Sequence, residues 1–358
     1  MSDTGSTEIE QWLERAVMQW PGAQISAVIA LKGDASARRF WRVMLAKAEG
    51  KSSSTNQIPA SAIAVDLGPD DLPAYARVLQ LVREPLTEPP WINVQRFLTA
   101  IGSSVPQVYA ADPAARMLLV EDVGDLPLFE AAAEGDAGDI YRLAIDELLL
   151  LHIEGTRRAG PECIASSIAY DGRLFRFELD EFVDYGIPEV APLAKENVIA
   201  PELDQIAVEL GGLPRVLSHR DYHGHNLYLE IEAEGEMRLR VIDFQDALMA
   251  PAAQDLAVLL TTRDTSRIIT ERVEQRLLDY YFAASLRLGV QVLSFDEYMH
   301  SYWLCVLQHA LKVIGRFIKL EQQGKRGYAA FVPYALAQTR RALAHLDGLP
   351  ELRAALAE

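Results

Sequence analysis

The chemistry-bearing residues of the chain crowd into two stretches, LSHRDYHGHNLYL from Leu217 and VIDFQDALMAPAAQDLAVLL from Val241. Together they place His219, Asp221, Asn226, Asp243, Asp246 and Asp255 within 37 residues. Each polar stretch adjoins apolar, strand-like runs, the setting in which a rigid scaffold holds functional loops. Asp221 precedes Asn226 by five positions, and Asp243 closes an apolar run just before Phe244. A carboxylate can take a proton, and a neutral amide oxygen beside an anionic one is a hard donor set suited to Mg2+. Three histidines, His219, His223 and His225, invite a zinc reading. His223 and His225 are two apart, however, and point to opposite sides of an extended segment. No H-E-x-x-H or cysteine pair supports them, so both read as loop packing or substrate contacts. Asp246 either meets an acceptor or second metal, or caps a helix beginning near Pro251.

These loops need a scaffold, and 358 residues, 50% of them hydrophobic and 24% charged, suffice for a sizeable core across about two domains. Thr7 and Glu10 have capping-box spacing at the start of an amphipathic run, Ile9, Trp12, Leu13, Ala16, Val17 and Trp20, so the chain opens with a helix. AQISAVIAL, ARRFWRVML and SAIAVDL read as three antiparallel strands, with the Ser-rich GKSSSTNQIPAS as a long hairpin loop. Helices over 71–82 and 89–101 and two short strands, PQVYAAD and RMLLVEDV, complete a small sheet with flanking helices. After Gly124 helical periodicity takes over, interrupted by only two strand-like runs, HNLYLEI and MRLRVIDF. The stretch EDVGDL marks the boundary between a unit over 1–123 and a helical unit over 124–358.

The 34 Lys and Arg against 51 Asp and Glu give a net charge of −17, which repels phosphate backbones and anionic lipid heads. No nucleic acid and no membrane is expected as a partner, and the field favours a cationic ligand. Cys163 and Cys305 show no disulfide framework. The acidic start MSDTGSTEIE is unlike a secretory signal, and no window approaches the ~18 to 20 apolar residues of a membrane span. The expectation is a soluble cytoplasmic protein; nothing in the sequence speaks to its oligomeric state.

The run His219-Arg220-Asp221, then Asn226, then Ile242-Asp243-Phe244 after a strand, matches the catalytic loop and metal-binding aspartate of protein-kinase-like phosphotransferases. Together with GDASARRFWRV, LLVEDVGD and QHALKVIGRF, it makes the chain resemble the aminoglycoside phosphotransferase superfamily over most of 33–317. Within that superfamily the first and last of these stretches are similar to the bacterial anomeric kinases of cell-wall recycling. The resemblance implies an α+β, protein-kinase-like two-lobed fold, with a small antiparallel-sheet N-lobe and a mainly helical C-lobe. It implies ATP and Mg2+ as cofactors and a small-molecule amino sugar, N-acetylmuramate or N-acetylglucosamine, phosphorylated at its C1 hydroxyl.

Carried onto this sequence, the resemblance makes Asp221 the acceptor of the attacking hydroxyl's proton, His219 the residue that orients the loop, Asn226 and Asp243 the metal ligands, and Asp255 a structural brace. Gly33, Asp34, Ala35 and Ser36 would lie over the ATP phosphates, and the backbone at Glu121 to Val123 would pair with the adenine edge. His223, Asp246, Gln308 and Lys312 would contact the acceptor, although Gln308 and Lys312 share a helix face with Leu311 and Gly315 that packing alone also explains. One departure stands out. SAIAVDL lacks the third-strand lysine of protein kinases and PWINVQRFLTAIG lacks its partner glutamate. Arg38, Arg39 or Arg42 could supply the charge. The gap keeps open a silent ATP-binding module, beside a kinase of aminoglycosides or choline.

Overall fold

The computed structural model describes residues 4–31, 38–47, 58–68, 72, 74–82, 88–187, 193, 197–231, 235–262, 265–289 and 292–356. Five strands, β1 (Ala23–Ala30), β2 (Arg39–Lys47), β3 (Ser61–Asp66), β4 (Val108–Asp112) and β5 (Met117–Glu121), form an antiparallel sheet in the order β1-β2-β3-β5-β4. Alternation along the strands sorts their side chains between two cores. Met117 and Leu119 join Val43, Leu45, Ala62 and Ala64 against Trp12, Leu13, Val17 and Trp20. Leu118 and Val120 join Val65 in the larger core that runs on into the helical part.

The helix Thr4–Val17 covers the first face. It begins one turn before the expected cap, so Thr7 lies inside it. Beyond the second face, the helix Pro90–Ile101 buries Trp91, Val94, Leu98 and Ile101, and it ends where Gly102 adopts φ 88, a left-handed cap open to glycine. The helix expected over 71–82 is one short piece, Ala74–Val78, because Gln80 turns left-handed at φ 52; positions 71 and 73 lie outside the described residues.

The remainder is mainly helical, with the long helix Phe295–Gln322 crossing Gly172–Tyr185 and Val332–His345. One correction concerns its strands. Besides β7 (Leu227–Ile231) and β8 (Met237–Val241), two further strands occur, β6 (Arg215–Ser218) and β9 (Leu248–Pro251), paired antiparallel. Each has only four residues and so is too short to show a period of its own. The architecture is α+β and protein-kinase-like. Among the described residues no helix is long and apolar enough to cross a membrane.

Candidate active site

The four short strands set the two polar loops side by side. Residues 219–226 leave β6 and enter β7, while residues 242–247 leave β8 and enter β9, and β6 pairs with β9 as β7 pairs with β8. Two hydrogen bonds join the loops: the Ile242 N–H donates to the Asn226 carbonyl at 2.9 Å, and the His219 Nε2–H donates to the Ile242 carbonyl at 3.0 Å. The Asn226 side-chain amide donates to the Asp221 carbonyl at 2.9 Å. Asp221, Asn226 and the strand end before Asp243 are thereby brought together.

Asp255 stands beneath this loop and is fully buried. Its carboxylate accepts the backbone N–H of His219 at 2.9 Å and of Arg220 at 2.8 Å, and meets His152 Nε2 at 3.1 Å. His152 comes from a π-helical turn, Leu151–Gly155, and its other nitrogen bonds the Tyr281 hydroxyl at 2.7 Å. Arg220 itself has φ 77, a left-handed backbone that costs a β-carbon-bearing residue ~1–3 kcal/mol. It is held there by the Asp255 contact, by Glu178 Oε1 at 2.9 Å from its Nη2, and by the Tyr75 ring 4.4 Å from its guanidinium carbon.

Glu178 is the node of the floor. Beyond Arg220 it takes the Lys312 ammonium at 3.0 Å, the Tyr170 hydroxyl and the Gln308 amide at 3.3 Å. Burial pushes its carboxyl up, but Lys312 and Arg220 pull it further down, to about 2. The same contest decides Asp221, which burial raises and Arg220 and Lys312 lower by more, so it lies well below the ordinary carboxylate range. Asp221 is therefore an ionised acceptor at neutral pH. Burial holds Asp246 above its ordinary value, and lowers His223 to about 4.

Asp243 has φ 63 and is half open to solvent; its Oδ1 lies 3.2 Å from Arg38 Nη1 and accepts from Gln245 at 3.0 Å. Phe244, next in the chain, packs on Trp91 with ring centroids 5.0 Å apart, which ties this loop to the helix behind the sheet. Among the described residues no group of three or more His, Cys, Asp or Glu could hold a metal. Asn226 and Asp243 nevertheless fit a cation shared with phosphates. The Asn226 nitrogen is committed to Asp221, which leaves its oxygen as the donor, and Asp243 already faces a positive group.

Other expected site residues have defined neighbours. Arg42 is enclosed by Asp122 and Asp125, with Nη2 3.1 Å from Asp122 Oδ1 and Nη1 2.8 Å from Asp125 Oδ2, so its charge is committed at the end of β5. Arg39 pairs with Asp66. Of the three arginines, Arg38 alone is seen to reach Asp243. The Glu121 side chain turns to Arg240, which also bonds Glu230 at 2.9 Å. Lys312 and the fully buried Gln308 both contact Glu178 in the floor under Asp221. Gly315, one turn further on, lets this helix touch the helix Gly172–Tyr185: a Cβ there would stand 2.3 Å from the Glu181 carbonyl oxygen. Gly33, Asp34, Ala35 and Ser36 lie outside the described residues, and Val123 lies two residues past the end of β5.

Sequence reasoning missed Glu178, Tyr170, Tyr75 and His152. Glu178 carried a signal, since it stands four residues from both Leu174 and Phe182 and so falls on the apolar stripe of its helix. Tyr75 carried none.

A kinase-type fold with these two loops is a phosphotransferase architecture, and the comparisons agree. Residues 67–293 match the family model described as the phosphotransferase enzyme family, and the chain belongs to that family. An N-acetylmuramate/N-acetylglucosamine kinase of Caulobacter vibrioides is 31% identical over 257 residues, 68% of this chain and 65% of that relative. The solved choline kinase of Cryptosporidium parvum Iowa II superposes with a TM-score of 0.61 at 15% identity, covering 94% of this chain and 95% of its own. A spectinomycin phosphotransferase solved with ADP and spectinomycin gives 0.54 at 13% identity, over 94% and 98% of the two chains. These two likenesses are of fold.

Proposed function

We propose that the chain transfers the γ-phosphoryl group of ATP to the anomeric C1 hydroxyl of N-acetylmuramate or N-acetylglucosamine, a step of peptidoglycan recycling. The observation that carries this reading is the joining of Asp221, Asn226 and the Asp243 loop by the hydrogen bonds at 2.9 Å. The name of the Caulobacter relative supplies the sugar. The nucleotide would lie between the units over 1–123 and 124–358.

Phosphoryl transfer passes through a loose transition state, so positioning and charge neutralisation matter more than strong proton abstraction. An ionised Asp221 of low basicity is adequate, because a hemiacetal hydroxyl is more acidic than an ordinary alcohol. Asp221 orients that hydroxyl and takes its proton as the new P–O bond forms and the bond from the γ-phosphorus to the β,γ-bridging oxygen breaks, releasing ADP. His219 and Asp255 hold the loop. Asn226 and Asp243 would hold Mg2+, which when bound neutralises phosphate charge. Arg38 takes the part of the missing third-strand lysine, moving from Asp243 to the phosphates.

The test is a labelled-ATP assay over free sugars, N-acetylated amino sugars, aminoglycosides and choline. An acid-labile sugar phosphate is the expected product, since a C1 phosphate hydrolyses readily in acid. An acid-stable product, or turnover of cationic acceptors alone, would overturn the assignment.

A further inference from the structure

Asp243 and Asp246 are joined by a side chain that plays no part in the mechanism above. The Gln245 amide nitrogen donates to Asp243 Oδ1 at 3.0 Å and to Asp246 Oδ2 at 3.1 Å. A primary amide carries two N–H groups, one for each carboxylate, whereas the reversed amide would set its oxygen against Asp243. This orientation leaves Gln245 Oε1 buried and without a hydrogen-bond partner among the described residues, at a cost of ~1–3 kcal/mol. The turn that aims the amide is itself fixed. Asp243 is left-handed at φ 63, Phe244 is fully buried against Trp91, and the Ala247 N–H donates to the Phe244 carbonyl at 3.0 Å. Gln245 is 8% exposed, so it reaches back to position 243 and forward to 246 from inside the protein.

Asp243 Oδ1 has a second donor, Arg38 Nη1 at 3.2 Å. Both donors meet the same oxygen, and in the proposed reading Arg38 leaves it for the phosphates. The Gln245 amide is held by its second bond, to Asp246, and has no such alternative. We propose that Gln245 is a positioning residue, whose amide, anchored on Asp246, pins Asp243 Oδ1 and keeps Oδ2 turned to the cation after Arg38 has gone. Hydrogen bonds of this kind fix the orientation of a ligating carboxylate, and losing one typically weakens metal binding ~10- to 100-fold. Asp246 thereby gains a role as the anchor of the amide. The inference rests on the reading of the site as a kinase in which Asn226 and Asp243 hold Mg2+.

The experiment reads metal binding apart from turnover and needs no sugar. ADP is titrated calorimetrically into the full chain at stepped Mg2+ concentrations and in EDTA. Gln245→Met keeps the length of the side chain and removes both N–H groups; Gln245→Asn keeps an amide on a shorter stem. In Gln245→Met the Mg2+ concentration that gives half of the gain in ADP affinity should rise about 10-fold, with the affinity in EDTA in place. Gln245→Asn should fall between Gln245→Met and wild type, and turnover lost by Gln245→Met should return as Mg2+ is raised. An unchanged Mg2+ requirement in both variants, or an ADP affinity that falls equally with Mg2+ and in EDTA, overturns the inference while the kinase reading stands. A wild-type chain whose ADP affinity ignores Mg2+ overturns both.

Discussion

The charges beneath Asp221 and those beside Asp243 follow opposite designs. Glu178 has a side chain 2% exposed and engages two cations, a phenol and an amide. Asp243 is 39% exposed and faces one arginine, itself 18% exposed. Burying a charge is costly, and removing one member of a buried pair leaves the other stranded, so such a cluster resists rearrangement. A half-exposed pair contributes little, ~0–1 kcal/mol, and can be exchanged. The floor of the loop is thus fixed, while the Arg38–Asp243 pair is the looser one, and in the proposed reading it is given up to a metal-bound nucleotide. Rigidity and exchangeability are separated by only the width of one loop.

Breaking the chemistry between the two regions has the largest expected effect. Asp221→Asn should lower kcat by ~10²- to 10⁴-fold, the usual share of a general base, with ATP binding retained. Turnover within about threefold of wild type would remove Asp221 from the reaction and the comparison with it. Breaking the floor comes next. Glu178→Gln keeps the shape but strands Arg220 and Lys312, and should destabilise by ~3–5 kcal/mol in denaturant unfolding. Its pH dependence follows from the direction of the shift. A carboxyl at about 2 in the folded chain, against an ordinary 4.5, stabilises the fold fully above pH 4.5 and loses that contribution as pH falls towards 2. The stability gap between wild type and Glu178→Gln should therefore narrow across that window; a gap constant from pH 6 to 2 would contradict the ionised node.

The same contrast explains what the sequence could disclose. The loop motif was legible because the distances from His219 to Asn226 are set by a few consecutive peptides. The sheet was legible because β-rich runs such as RMLLVEDV and SAIAVDL survive in a single line of text. β6 and β9 were hidden because four residues cannot display a period, and their pairing joins residues 30 to 36 positions apart. The floor was least legible. Glu178 competes by eye with Asp180, Glu181 and Asp184 on one helix, and only its place among apolar neighbours separates the fully buried acid from the less buried ones.

The exchangeable side yields the smaller effects, and these sharpen the choice among the arginines. Arg38→Ala should raise the ATP KM about tenfold or more, the worth of one charge-assisted hydrogen bond, with Arg38→Lys intermediate. No change would return the phosphate charge to another residue. Arg42→Lys should do least of all. Its contacts, Asp122 and the largely exposed Asp125, are an ion-pair network at the end of β5, so losing the forked geometry should move the unfolding midpoint by less than ~1 kcal/mol and leave the ATP KM within about twofold. A tenfold rise in ATP KM for Arg42→Lys, beside an unaffected Arg38→Ala, would exchange their roles. It would mean that the Asp122 and Asp125 contacts, and not the Asp243 contact, are the ones given up when nucleotide binds.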